Sequence, residues 1–115
     1  MDKENLIIDI LKLFSDNTRL RILNILSESE LCVCDIETIL NLNQSNISRH
    51  LNKIGKFDIV KSRRDSYWSY YKINDEIFYS FPFIKKLLDQ IKTIEPFKND
   101  LENSKKIDKN KNCKI

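Results

Sequence analysis

The sequence holds one glycine, two prolines and one histidine in 115 residues. So little glycine and proline leaves scant material for the tight turns of an all-β protein, and helices are expected instead. The three cysteines are an odd number, which argues against a disulfide framework and for thiols kept reduced. Long apolar runs are missing as well. The longest near the N-terminus, LIIDILKLF (6–14), is interrupted by Asp9 and Lys12, and no small-residue cleavage site follows it. A cytosolic protein with no membrane partner is therefore expected. No base stands beside a nucleophile and no cysteine falls in a phosphate-cradling loop, so no catalytic site, and no enzyme, is expected.

The composition that is present, 41% hydrophobic and 32% charged, is that of one globular domain. Its charge is unevenly spread. Residues 1–43 are net −4, residues 44–64 net +5 and residues 65–115 net +2. A short central stretch holding Arg49, Lys53, Lys56, Lys61, Arg63 and Arg64 against Asp58 alone is the footprint of a polyanion-binding surface, or of a solvated basic face.

Periodicity divides the chain further. ENLIIDILKLF (4–14) reads as a helix whose apolar stripe is wider than one core-facing surface needs. Ser15, Asp16, Asn17 and Thr18 offer caps for a short apolar helix over 19–28. ELCVCDIETIL (30–40) reads as a helix of two to three turns, NLNQ (41–44) as a turn, and QSNISRHLNKIGK (44–56) as a second helix with Ile47, Leu51 and Ile54 facing inward. Two helices joined by a short turn, the second basic and amphipathic, make a helix-turn-helix, and the second is suited to the major groove of double-stranded operator DNA. Ser45, Ser48, Arg49 and Asn52 share its outward side. Arginine suits guanine edges and asparagine adenine edges, while Lys53 and Lys56 are placed to hold the backbone. Gln44, Asn46 and His50 complete the candidate contacts on this helix, with His50 divided between packing and a phosphate contact.

Residues 59–64 and 67–73 then read as two strands joined through Asp65–Ser66, a small β-hairpin or wing with Arg63 and Arg64 near its tip. Its aromatics, Tyr67, Trp68, Tyr70 and Tyr71, are expected to anchor the ribbon to the helical body. Pro82 opens a last helix over 83–95 with a long apolar stripe. The fold expected is mainly α with a small β-hairpin, a winged helix-turn-helix over 1–97 that forms a homodimer through its first and last helices. Residues 98–115, rich in lysine and asparagine and containing Cys113, are expected to be a polar disordered tail.

Taken in order, DNTRLRILNIL, ELCVCDI, QSNISRHL and SRRDSYWSYYKI resemble the ArsR/SmtB family of metalloregulatory repressors, over roughly residues 5–95. The resemblance implies a dimeric winged helix-turn-helix that leaves its operator when it binds a metal ion or metalloid. ELCVCD is similar to the inducer-binding segment of the arsenite/antimonite-responsive members and of a cadmium/lead-responsive branch. It implies Cys32 and Cys34 as ligands, with no cofactor required and arsenite or antimonite as inducer; cadmium, lead and zinc are the alternatives. The third thiol of the arsenical branch is replaced here by Glu37, and Cys113 is the remaining candidate. Asp58 stands where the family usually has glycine, and aspartate tolerates a left-handed backbone. Gly55 should loosen the end of its helix by about 1 kcal/mol. The last helix lacks the histidine of the zinc site that other members carry.

Residues two apart in a helix lie about 200° apart around its axis. One soft ion holds sulfurs at about 2.3 Å, so a helical Cys32–Cys34 turn is expected to unwind on binding and to disturb the neighbouring recognition helix. A thiol-redox sensor would use the same cysteines, although a Cys32–Cys34 disulfide is awkward at that spacing.

Overall fold

A computed structural model of the chain describes residues 3–107. The elements run α1 (Lys3–Phe14), α2 (Asn17–Leu26), β1 (Leu31–Cys32), α3 (Val33–Leu40), α4 (Gln44–Gly55), β2 (Val60–Asp65), β3 (Trp68–Ile73), α5 (Glu76–Ser80), α6 (Pro82–Ile91) and α7 (Phe97–Lys106). Helix α3 packs on α4, and the strands form one antiparallel sheet in the order β1-β3-β2. This is the expected mainly helical body with a wing. Each turn is set by local chemistry. The Asp16 carboxylate accepts the Arg19 N–H at 2.9 Å and caps α2. That bond holds Asp16 below the usual carboxylate range, with the Arg19 charge adding to it. Asn41 closes α3 in the left-handed region at φ 56°, and Asn43 caps α4 by accepting the Asn46 N–H. Asp58, at φ 57°, takes the left-handed turn expected of it.

The core is aliphatic. Ile10, Ile22, Ile25, Ile36, Ile47 and Ile54 are fully buried, so the inward face read for the second helix of the pair is the one observed. On α1, Ile10, Leu13 and Phe14 are buried while Ile8 and Leu11 stand exposed, which accounts for the breadth of its apolar stripe.

Three expectations are corrected. The helix expected over 30–40 begins only at Val33. Leu31 and Cys32 are a strand, paired with Tyr71 and Tyr70 of β3. The hairpin loop is Ser66–Tyr67 rather than Asp65–Ser66, because Asp65 still pairs with Trp68. Ser66 supplies the positive φ, 59°, that a two-residue hairpin loop needs at its first position. Tyr67 is thereby pushed out to 77% exposure, while Trp68, Tyr70 and Tyr71 remain half-buried against the body.

The third correction is the tail. Residues 97–106 form a helix, packed on α2 and α3. Its inward positions include Asp100 and Ser104, so an apolar periodicity does not reveal it. Arg21 of α2 donates to Asp100 through Nε at 2.8 Å and Nη2 at 2.9 Å, and Asn24 donates to the Phe97 carbonyl at 3.0 Å. Asp100 is 1% exposed, and removing one partner of such a pair leaves the other uncompensated. Asp100→Ala is expected to lower stability by roughly 2–4 kcal/mol, measured as a fall in the urea midpoint; a change within 0.5 kcal/mol, about the size of an exposed-site effect, would show that α7 is not seated by this pair.

Candidate nucleic-acid interface and thiol segment

The candidate recognition surface is built on α4. Gln44, Ser45, Arg49, Asn52 and Lys53 are exposed along it, and Asn46 and Ser48 are half-buried. Asn46 accepts from Arg49 Nη2 at 3.0 Å, which orients the guanidinium along the outer face. Between α4 and the wing lies an open groove of about 570 Å³, lined in part by Asn52, Gly55, Lys56, Lys61, Ser62 and Tyr71. The structure thus brings the candidate contacts of the helix to one side. It adds Lys61 and Ser62 from the base of the wing. Sequence counting placed Lys61 in the basic stretch, but which side of the hairpin meets the groove depends on tertiary packing.

His50 is the exception. It is buried, on the inner side of α4, and contributes nothing to the outer face. The reason lies in α2. Arg19 donates through Nε to the Leu13 carbonyl at 2.8 Å and through Nη1 to His50 Nδ1 at 3.3 Å. A guanidinium has only donors, so this contact needs an unprotonated Nδ1. Burial holds the imidazole below its ordinary range. Arg19, Arg49 and Lys53 push the same way, and Asp16 opposes them. His50 is therefore a packing residue that ties the end of α1 to the recognition helix, and the DNA contact considered for it is withdrawn.

The thiols lie behind this surface. Cys32 is both the last residue of β1 and the N-cap of α3, with φ −87° and ψ 169°. The Asp35 carboxylate accepts the Cys32 N–H at 3.2 Å, and the Cys32 sulfur faces the Asp35 N–H, a capping box with sulfur in the usual place of a hydroxyl. Cys32 is 2% exposed; burial pushes its thiol up, while the Asp35 N–H opposes the rise. Cys34 lies in the first turn of α3, half-buried. It takes part in a disulfide, whereas Cys32 keeps its thiol. Cys113 lies outside the described residues. Because Cys32 precedes the helix, the two cysteines are not fixed 200° apart, and the expectation that an ion must unwind a helical turn between them is overturned.

With Cys34 reduced, two thiols in one segment are soft donors and suit a thiophilic ion or metalloid. Among the described residues no cluster of three His, Cys, Asp or Glu side chains is poised to hold a metal ion. The Cys32–Cys34 pair fits such an ion only with a further ligand. The position of the missing local thiol, Glu37, is half-buried on α3, and its carbonyl accepts the Asn41 and Leu42 N–H groups at the helix end.

Similarity to known proteins accords with this geometry. Residues 16–62 match the family model described as bacterial regulatory protein, arsR family. An HTH-type transcriptional regulator of Methanocaldococcus jannaschii, MJ1325, is 40% identical over 92 residues, 79% of this chain and 100% of that protein. The arsenic resistance transcriptional regulator ArsR1 of Pseudomonas putida is 41% identical over 69 residues, 59% of this chain and 54% of that one. A cadmium resistance regulator, the CadC homolog of Staphylococcus aureus, is 38% identical over 68 residues, 58% of this chain and 56% of that one. The chain thus spans little more than half the length of these two resistance regulators. Among solved structures, HlyU of Vibrio cholerae superposes with a TM-score of 0.67 at 22% identity, covering 82% of this chain and 96% of its own. The homodimeric winged helix-turn-helix DNA-binding domain of Mycobacterium bovis Mb0332 gives 0.63 at 22% identity, covering 79% and 86%. At these identities the structures speak for the fold alone. Among the described residues no helix is long and apolar enough to cross a membrane.

The buried imidazole sets a pH dependence. Its folded pKa lies below the unfolded one, so the unfolded chain binds more protons through the interval between them, and stability falls as pH drops through it. Acidification from about pH 7 to about pH 5 should destabilise the native protein more than His50→Gln, with the difference opening below about 6.5. Parallel denaturation midpoints across that range would remove His50 as the source.

Proposed function

Because the chain belongs to the arsR family of bacterial regulatory proteins, we propose that it is a cytosolic repressor that binds operator DNA as a homodimer and lets go when arsenite or antimonite binds Cys32 and Cys34. The family is one of DNA-binding regulators, and no catalytic step is assigned. The dimer uses the apolar surface left on α1, including Ile8 and Leu11, together with α6. α4 lies in the major groove with Arg49, Ser45, Ser48 and Asn52 toward base edges; Gln44, Asn46, Lys53 and Arg64 hold phosphates or sugars. Cys113, the remaining cysteine of the sequence, is the third sulfur donor once the thiols are reduced.

The observation that carries this reading is the double role of Cys32. Its sulfur faces the N–H that it caps at the start of α3, and its backbone belongs to β1. A thiolate engaged by an inducer leaves that cap, and Asp35 loses the geometry of the reciprocal bond. α3 packs directly on α4, so a change at its first turn reaches the recognition helix. DNA and inducer then weaken each other by the same coupling free energy. Cap residues contribute about 1 kcal/mol each, so two subunits supply on the order of 2 kcal/mol, a useful part of a switch.

One observation favours a second reading. The disulfide at Cys34 is what a thiol-redox repressor would form. There, peroxide takes two electrons from a pair of thiols, closing the S–S bond and leaving as water. Duplexes selected from a randomised pool by the reduced protein separate the readings. Release by arsenite or antimonite under reducing conditions supports the first, release by peroxide alone the second, and release by cadmium, lead or zinc but not arsenite changes the inducer. Cys32→Ser and Cys34→Ser should bind the selected duplex within about threefold of wild type, a change of under 1 kcal/mol, and no longer release it; normal arsenite release by either variant would remove the thiol site. Arg49→Ala should weaken the selected duplex by roughly 1–3 kcal/mol more than a random one.

A further inference from the structure

The sheet carries a row of side chains that DNA recognition leaves unexplained. Across the strands, Tyr70 of β3 pairs with Cys32 of β1 on one side and Arg63 of β2 on the other. The Arg63 guanidinium lies over the Tyr70 ring, 4.6 Å from its centroid. It reaches Glu30, the residue before β1, donating through Nε to the two carboxylate oxygens at 3.1 and 3.0 Å and through Nη2 at 2.7 Å. Beside this contact Lys61 and Lys72 face each other directly across β2 and β3, two like charges in one cross-strand pair. Such a pair is unfavourable unless an anion lies near it. Glu30, Lys61, Arg63 and Lys72 line one concavity together. Three cations therefore line one concavity with the Glu30 carboxylate, and the Arg63 guanidinium holds it with the forked, charge-assisted geometry that arginine also uses for phosphate.

We propose that Glu30 is an intramolecular stand-in for a DNA phosphate, occupying Arg63 in the free protein and yielding it to the backbone when the wing meets duplex DNA. The inference rests on the DNA-binding reading above and adds to it a residue that sets affinity without touching DNA. An exposed ion pair in water is worth little, so the exchange is easy to drive. Its effect on binding is to subtract one cation from those that engage phosphates, whatever the base sequence. Glu30 also lies two residues before Cys32, so the carboxylate and the thiol are carried by one short stretch of chain, residues 30–32.

The test uses the full chain, reduced, and a fluorescein-labelled duplex of mixed sequence titrated between low and moderate salt. Glu30→Gln should bind about three- to tenfold more tightly at low salt, with the slope of log affinity against log salt steeper by about 0.9, one further phosphate. Arg63→Ala should weaken binding and flatten the slope by a similar amount. In the Arg63→Ala background, Glu30→Gln should change neither quantity. Equal gains from Glu30→Gln with and without Arg63 would reduce the effect to net charge and overturn the proposal, as would an unchanged or weaker Glu30→Gln variant. No binding of any duplex by the wild-type protein at low salt would instead remove the DNA reading on which the proposal stands.

Discussion

One residue belongs to two structures at once. Cys32 ends the short strand that completes the sheet, and its side chain caps the helix that supports the recognition helix. A strand end is held by its ladder and a helix start by its cap, and here both hold the same few atoms. The sheet and the helix-turn-helix thereby share one peptide segment, residues 30–35, in addition to the direct run from α4 into β2. Whatever displaces the sulfur acts on both together. That sharing couples the edge of the sheet to the start of α3 through one side chain.

The body around this joint is organised by α2, which looks like a plain apolar helix in the sequence. Two of its arginines, a pair of residues apart, reach in different directions. Arg19 binds the carbonyl at the end of α1 and the imidazole on α4, while Arg21 binds the carboxylate on α7. Asn24 adds a bond to the start of α7, and its side-chain amide oxygen, Oδ1, is buried with no hydrogen-bond partner among the described residues. The helix that fills the core thus also fixes, by polar contacts at its flanks, where its neighbours stand.

How much was legible in the sequence depended on which force placed each element. The helix pair, the inward face of Ile47, Leu51 and Ile54, and Pro82 at the start of α6 follow from apolar spacing and backbone chemistry, and they were read correctly. The outward set on α4 was legible for the same reason, save His50. Its partner, Arg19, lies 31 residues away, and no local pattern announces such a contact. Strand β1 has two residues and exists only because Tyr70 and Tyr71 of β3 pair with it. Helix α7 escaped because its seat is an ion pair, so its inward positions look polar. The thiol segment was found by its cysteines, but its backbone was assigned to a helix that starts one residue after Cys32. Apart from the hairpin loop, which shifted through the local pairing of Asp65 with Trp68, each miss is a case in which a distant partner decided the outcome.

The polar seating of α7 has its own consequence. Most of the core would expose aliphatic surface on opening, whereas α7 would uncover chiefly the half-buried Phe97, Leu101 and Ile107 beside its Asp100 anchor. Opening α7 would also break the Asp100 pair and the Asn24 bond to the Phe97 carbonyl, so directional polar contacts rather than apolar area set how firmly the C-terminal end is held.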